Sequence, residues 1–242
     1  MSESLVQRPA PSLLHLDASA DANSVSKRLT TVFADSWRNA HGAVGYRHRD
    51  LSADPVPLVG PAYVALGTRV ERHGVIPASR VAALIEDPAE EREWVLTRSL
   101  IAEVLDADVL LLGVPMYNLS VPATLKAWID RVTFPGMFTD PDTGDHLLRD
   151  TRVVVVMARG GGYGPGAPRA GLDFQTPYLR AYFLGLGVAE ENLHFVAAEL
   201  TRAGDIPALA GFQEMAAESL TAAREAVTAL AARLAEPSVV TS

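Results

Sequence analysis

The sequence predicts a doubly wound α/β domain, a five-stranded parallel sheet with helices on both faces. Three observations predict it. The runs Val109-Leu110-Leu111-Leu112-Gly113-Val114 and Val153-Val154-Val155-Val156-Met157-Ala158 are apolar without alternation. Strands that read this way are buried on both faces, as in a parallel sheet covered by helices. Short apolar runs alternate with longer stretches of helical periodicity, the pattern of repeated strand-helix units. Several strand ends run into loops of Ser, Gly, Pro and Asn, on the edge where open α/β sheets hold ligands.

The elements follow in order. Residues 13–17 form a short apolar strand. A small polar loop over 18–24 leads into a helix over 25–37, where Val25, Leu29, Val32, Phe33 and Trp37 recur at helical spacing. A second strand falls within 44–51. The segment 54–77 is rich in Pro and Gly and is not expected to be regular throughout. One or two helices cover 78–105, with an interruption at Pro88. The strand 109–114 is followed by the Pro115 loop and a helix over 123–132. Residues 134–149 form a turn-rich excursion marked by Pro135-Gly136, Asp140-Pro141 and Thr143-Gly144. The strand 153–158 ends in Arg159-Gly160-Gly161-Gly162-Tyr163-Gly164-Pro165-Gly166. A helix around 178–186, a strand over 193–197 and a long helix over 207–234 complete the pattern. Residues 12–236 thus read as one domain, with a polar extension over 1–11 and a tail over 237–242.

Composition narrows the function. A chain of 242 residues, 48% hydrophobic and 21% charged, has the make-up of a globular protein with a substantial core. A net charge of −8 without a basic cluster argues against nucleic acid as a partner. Cysteine is absent, which removes disulfides, thiol nucleophiles and cysteine metal sites, and fits a cytoplasmic protein. No apolar stretch approaches the ~20 residues that span a bilayer. Residues 1–11 also lack the apolar centre of a signal peptide, so no membrane partner is expected.

Three strand exits carry the chemistry. Ser19, Ser24 and Ser26 stand where the first strand hands over to a helix, and hydroxyls with free N–H groups at a helix N-terminus suit a phosphate. Neither G-x-G-x-x-G nor G-x-x-x-x-G-K-[ST] is present, so a dinucleotide or triphosphate cradle is not indicated. At the second exit Pro115 stiffens the chain, Met116 and Tyr117 offer soft and aromatic surface, and Asn118 offers a donor and an acceptor. That chemistry suits a flat heteroaromatic ring with polar edges, flavin in particular. At the third exit the glycines of 160–166 let backbone approach a ligand closely.

Other residues read as structural. His15 lies within a strand and His194 at the start of another, with no second His or carboxylate at ligand spacing, so no metal is expected. His41, His48, His73 and His146 are scattered. Glu90, Glu91 and Glu93 read as a solvated helix face. Gly-x-Ser-x-Gly is missing, which leaves no hydrolase nucleophile to defend.

Pro115-Met116-Tyr117-Asn118, followed by Leu125-Lys126-Ala127-Trp128-Ile129-Asp130, resembles the P-M-Y-N-F and L-K-x-(Y/W)-(I/F)-D signature of FMN-dependent NADH:quinone oxidoreductases, the azoreductases. Arg159-Gly160-Gly161, Thr176-Pro177-Tyr178-Leu179 and Leu184-Gly185-Leu186-Gly187 strengthen the resemblance, which covers about residues 13 to 232. It implies a flavodoxin-like fold with strand order 2-1-3-4-5, a homodimer with sites at its interface, and non-covalent FMN. Carried over, Ser19, Ser24, Val25 and Ser26 surround the phosphate. Pro115, Met116, Tyr117, Asn118 and Leu119 line the ring from one loop, and Ala158, Arg159, Gly160 and Gly161 from the other. Leu119, Val25 and Ala158 depart from the commoner Phe, polar and hydroxylated residues.

The expected activity is transfer of two electrons from NADH or NADPH through FMN to a quinone, azo or related conjugated small molecule, in a ping-pong cycle. Asn118 and Tyr117 support the flavin chemistry, while Phe134, Phe138 and Tyr163 are candidates for substrate contact. The alternatives are a pathway-specific flavin-dependent reductase, a flavodoxin-type electron carrier and a flavin-free module. The long excursions at 54–77 and 134–149 exceed what a bare carrier needs.

Overall fold

The computed structural model describes residues 11–235, so the expected tail and all of the extension except Pro11 lie outside the described residues. Five parallel strands form the sheet: β1 (Leu13–Asp17), β2 (Tyr46–Asp50), β3 (Val109–Pro115), β4 (Arg152–Ala158) and β5 (Leu193–Ala198). They lie in the order β2-β1-β3-β4-β5. Alternation along the strands divides the core in two. Leu13, Leu111, Val154 and Val156 face α1 (Val25–His41) and α7 (Gln213–Ala235), packing with Phe33, Trp37 and Val227. Leu14, Leu112, Val153 and Val155 face α2 (Pro61–Glu71), α4 (Pro88–Leu105), α5 (Ala123–Val132) and α6 (Gln175–Gly185), packing with Leu66, Trp94, Trp128 and Phe183. Each such large apolar side chain contributes roughly 1.5–3 kcal/mol on burial.

The boundaries show what local chemistry decides. The break in 78–105 falls before Pro88, because proline is tolerated at the first helical position. Asp87 caps α4 by accepting from the N–H groups of Ala89 and Glu90 at 2.7 and 2.9 Å, a cap worth about 1 kcal/mol. Before it stand only α3 (Ala78–Val81) and a 3-10 turn over Ala82–Leu84. The Pro-rich segment 54–77 holds the eleven-residue helix α2. Its irregular start is fastened by Arg131, fully buried on α5, which donates to the carbonyls of Pro57 and Leu58 at 3.0 Å each. The long helix expected from 207 begins as a 3-10 segment over Pro207–Phe212 before α7. Helix α6 starts three residues earlier than expected, since Asp173 accepts from the N–H groups of Gln175 and Thr176.

The acidic run is only in part the solvated face that the sequence suggests: Glu91 is exposed, but its neighbours are engaged. Glu90 is buried and takes two hydrogen bonds from Arg69, at 2.8 and 3.0 Å, while Glu93 pairs with Arg131. Among the described residues no helix is long and apolar enough to cross a membrane.

Candidate functional site

At the carboxyl edge of the sheet, β1 runs into a loop that turns into α1. Ser19, Ser24 and Ser26 are all buried there. Ser24 stands at the N-cap of α1, yet its hydroxyl pairs with that of Ser26 at 2.9 Å and makes no cap hydrogen bond. The first turn carries no acidic residue. A 17-residue helix with an uncapped, hydroxyl-lined N-terminus is a favourable anion site, because its N–H groups and dipole both face outward. Val25 occupies the first helical position, with its side chain packed on the α1–α7 side of the core.

The exit of β3 is a tight backbone turn. Tyr117 and Ser120 exchange N–H to carbonyl hydrogen bonds of 3.0 and 3.1 Å. The two residues between them, Asn118 and Leu119, have φ of 48° and 73°. Two positive φ values in a two-residue loop mark a type I′ turn, which Asn tolerates and Leu resists. The turn exposes Tyr117 and Asn118. Tyr117 also reaches the first exit, its hydroxyl accepting from the Ala20 N–H at 3.2 Å.

The exit of β4 is held by side chains. Arg159 is 3% exposed, and its guanidinium donates to Asp173 at 2.9 Å, Glu199 at 3.1 Å, Thr176 at 2.5 Å and Gln175 at 3.3 Å. The other carboxylate oxygen of Glu199 accepts from the N–H groups of Tyr163 and Gly164, both at 3.1 Å. Burial alone would raise the Asp173 pKa, but hydrogen bonds from Thr176 and the charge of Arg159 hold it below the usual carboxylate range. The backbone N–H groups of Gly160 and Gly161 make no hydrogen bond among the described residues.

Between the β3 and β4 exits lies a cleft of about 1140 Å³, lined by both loops, by Glu199, Leu200 and Arg202 after β5 and by apolar residues between Ile206 and Met215; the serines of the β1 exit do not line it. Of the residues expected to hold a ring, it brings together Met116, Tyr117, Asn118, Leu119, Gly160 and Gly161, with Tyr163 beside them. Pro115 and Ala158 end their strands side by side and are buried beneath. Arg159 is a correction: its side chain is occupied behind the loop and does not line the cleft. Phe134 and Phe138 are a second correction, because both are buried in the core. Phe134 packs there against Tyr63 and Trp94, with ring centroids 5.3 and 5.2 Å away. Sequence reading missed Glu199 and Arg202 on the cleft wall. Their signal was available, since they follow β5 on the same edge as the other exits.

The expectation of scattered histidines also needs correcting. His15, Asp17 and His48 converge, with one potential ligand atom of each lying within 4.8 Å of the others. Asp17, the last residue of β1, is buried, and burial by itself would raise its pKa. The two imidazoles beside it, His15 at 3.4 Å and His48 hydrogen-bonded at 3.0 Å, outweigh that and hold its carboxyl well below the usual range. Gly113 makes room for it: a Cβ there would stand 2.3 Å from Oδ1 of Asp17. Only the register of β1 against β2, unreadable from either strand alone, discloses this cluster.

Comparison with known proteins agrees with this geometry. The family model described as flavodoxin-like fold matches residues 11–223. The FMN-dependent NADH:quinone oxidoreductase of Nocardia farcinica is 44% identical over 200 residues, spanning 83% of this chain and 88% of its own. That of Kineococcus radiotolerans is 40% identical over 228 residues, spanning 93% and 100%. The azoreductase of Bacillus anthracis str. Sterne shares the fold, with a TM-score of 0.72 at 23% identity over 91% of this chain and 98% of that one. Sheet order and the matching family model place the chain in the flavodoxin-like class. Within it, the chain belongs to the family of FMN-dependent NADH:quinone oxidoreductases.

Proposed function

We propose that this protein binds FMN and catalyses two-electron reduction of a quinone, azo or related conjugated small molecule by NADH or NADPH. One observation carries the reading: an uncapped, serine-lined helix N-terminus lies beside a ring-lined cleft, and the Tyr117 hydroxyl fastens the two together. The residues fit FMN. Ser24 and Ser26 hydrogen-bond each other across an anion site, and Asn118 presents an exposed amide in the cleft wall.

When bound, FMN would supply two-electron redox chemistry between the nicotinamide and the acceptor, which would use the cleft in a ping-pong order. The chain's own residues bind and orient. The N–H groups at the start of α1 and the hydroxyls of Ser19, Ser24 and Ser26 hold the phosphate. Asn118 and the backbone N–H groups of Gly160 and Gly161, unpaired among the described residues, would offer donors to the polar edge of the ring. Tyr163 and the apolar wall from Ile206 to Met215 receive the nicotinamide and the acceptor in turn. No side chain need act as an obligatory acid, because the open cleft admits solvent protons.

A homodimer completes the site in this reading. The cleft is rimmed by exposed Tyr117, Phe212 and Met215, and Phe174 and Leu172 are exposed on the neighbouring loop, apolar surface that a second chain would cover.

The test compares FMN with riboflavin by calorimetry, then follows NADH and NADPH oxidation with a panel of quinones and azo compounds. FMN is expected to bind one per chain and far more tightly than riboflavin. Equal affinity for the two would remove the phosphate site. FMN binding without turnover of any acceptor would favour an electron carrier. Sedimentation should show a dimer, and a fully active monomer would refute the shared site.

A further inference from the structure

β1 and β2 pair in parallel with His15 opposite His48, and Asp17 follows two residues on, so all three point to the α1 side of the sheet. His15 is 3% exposed, whereas the His48 side chain at the sheet edge is 40% exposed. Nε2 of His15 is buried and has no hydrogen-bond partner among the described residues. It stands 3.4 Å from Oδ2 of Asp17, and Nε2 of His48 stands 3.0 Å from the same oxygen. Around a first-row metal with bonds of about 2.0–2.2 Å, neighbouring ligand atoms lie roughly 3.0–3.4 Å apart at octahedral to tetrahedral angles. Both separations match that span.

The outer partners match a metal site too. Nδ1 of His15 hydrogen-bonds the Tyr46 hydroxyl at 3.0 Å, which leaves Nε2 as the free ligand atom. Oδ1 of Asp17 accepts from the Thr30 hydroxyl at 3.1 Å, which leaves Oδ2. Orienting hydrogen bonds on the far atom, here present on the two buried ligands His15 and Asp17, are characteristic of metal sites. Nearby cations are engaged elsewhere: Lys27 pairs with Asp50 at 2.7 Å, and Arg38 pairs with Asp35 and lies over the Tyr46 ring.

We propose that His15, Asp17 and His48 bind one divalent first-row transition ion, zinc or a metal of similar preference, with water completing its coordination on the exposed side of His48. Two imidazoles and one carboxylate favour such an ion over calcium or magnesium, which require oxygen ligands. The site is separate from the cleft and does not depend on the proposed flavin chemistry.

The test is calorimetric titration of the tag-free full-length protein with Zn²⁺ and Co²⁺. One ion per chain is expected. His48→Ala, at an exposed edge position, should weaken binding at least tenfold. His48→Gln, which retains side-chain volume, should do the same, with circular dichroism confirming the fold. Tyr46→Phe should weaken it about tenfold to a hundredfold through the outer shell. His73→Ala, on the turn after α2, should change nothing. Absence of binding by the unaltered protein at millimolar metal, or equal binding by the His48 variants, would overturn the proposal and leave a buried carboxylate held by two imidazoles.

Discussion

The β3 and β4 exits face the same cleft but are built by opposite means. The β3 turn is a local object: four residues, two reciprocal hydrogen bonds, and two positive φ values. The β4 exit is fixed from a distance, by Asp173, Gln175 and Thr176 at the start of α6 and by Glu199 after β5, all gathered on Arg159. A local turn keeps its shape when its surroundings change, whereas a loop shaped by a buried ion network is only as stable as that network. The two loops should therefore fail differently.

The largest effect is expected from Arg159→Met. It leaves Asp173 and Glu199 without their shared cation, and breaking a buried pair on one side costs about 3–5 kcal/mol. Chemical denaturation should show that loss. A change below about 1 kcal/mol would mean that water readily replaces the guanidinium.

Next comes Asn118→Ala, which removes one donor from the β3 turn and adds left-handed strain of about 1–2 kcal/mol at its φ of 48°. Under the proposed function, NADH-driven bleaching of bound flavin should slow by up to about 10²-fold, with a smaller change in FMN affinity. Rapid mixing reads the rate. An unchanged rate would make Asn118 a turn residue only.

The acid limb sharpens the contrast. Because the folded pKa of Asp173 is lowered, its contribution is fully present above the unfolded value near 3.8. It is lost as pH falls through the lower folded value. Stability should thus decline through the carboxylate range, and more shallowly in Asp173→Asn. Thermal melts over a pH series check this, and identical slopes would detach Asp173 from the network's acid sensitivity.

Leu119→Gly should have the smallest effect. Relief of about 1–2 kcal/mol of left-handed strain is opposed by roughly 0.5–1 kcal/mol of glycine chain entropy and by lost contact area. Stability should stay within about 1 kcal/mol of the unaltered protein, measured by the same denaturation.

How much could be read beforehand follows the same division. The loop after β3 was signalled by Pro115, and the strand beneath it by its unbroken apolar run, but its type I′ geometry was not, since Leu119 is not a residue that favours positive φ. The buried role of Arg159 was not, because its acidic partners are 14 and 40 residues away. Phe134 and Phe138 looked like substrate contacts because an aromatic in a turn-rich segment has the same composition whether it faces core or solvent. Glu90 misled for the complementary reason, since Arg69, its partner, lies 21 residues earlier on another helix.

The sequence by itself determined the alternation of strands and helices, the two central buried strands, and the small, hydroxylated or glycine-rich exits. These follow from periodicity, side-chain volume and backbone freedom, which act over a few residues. Only the tertiary structure decided which charges became buried partners, which aromatics entered the core, and that His15 and His48 meet at Asp17. Those outcomes depend on strand register and helix docking, where one residue of slip turns a side chain to the opposite face.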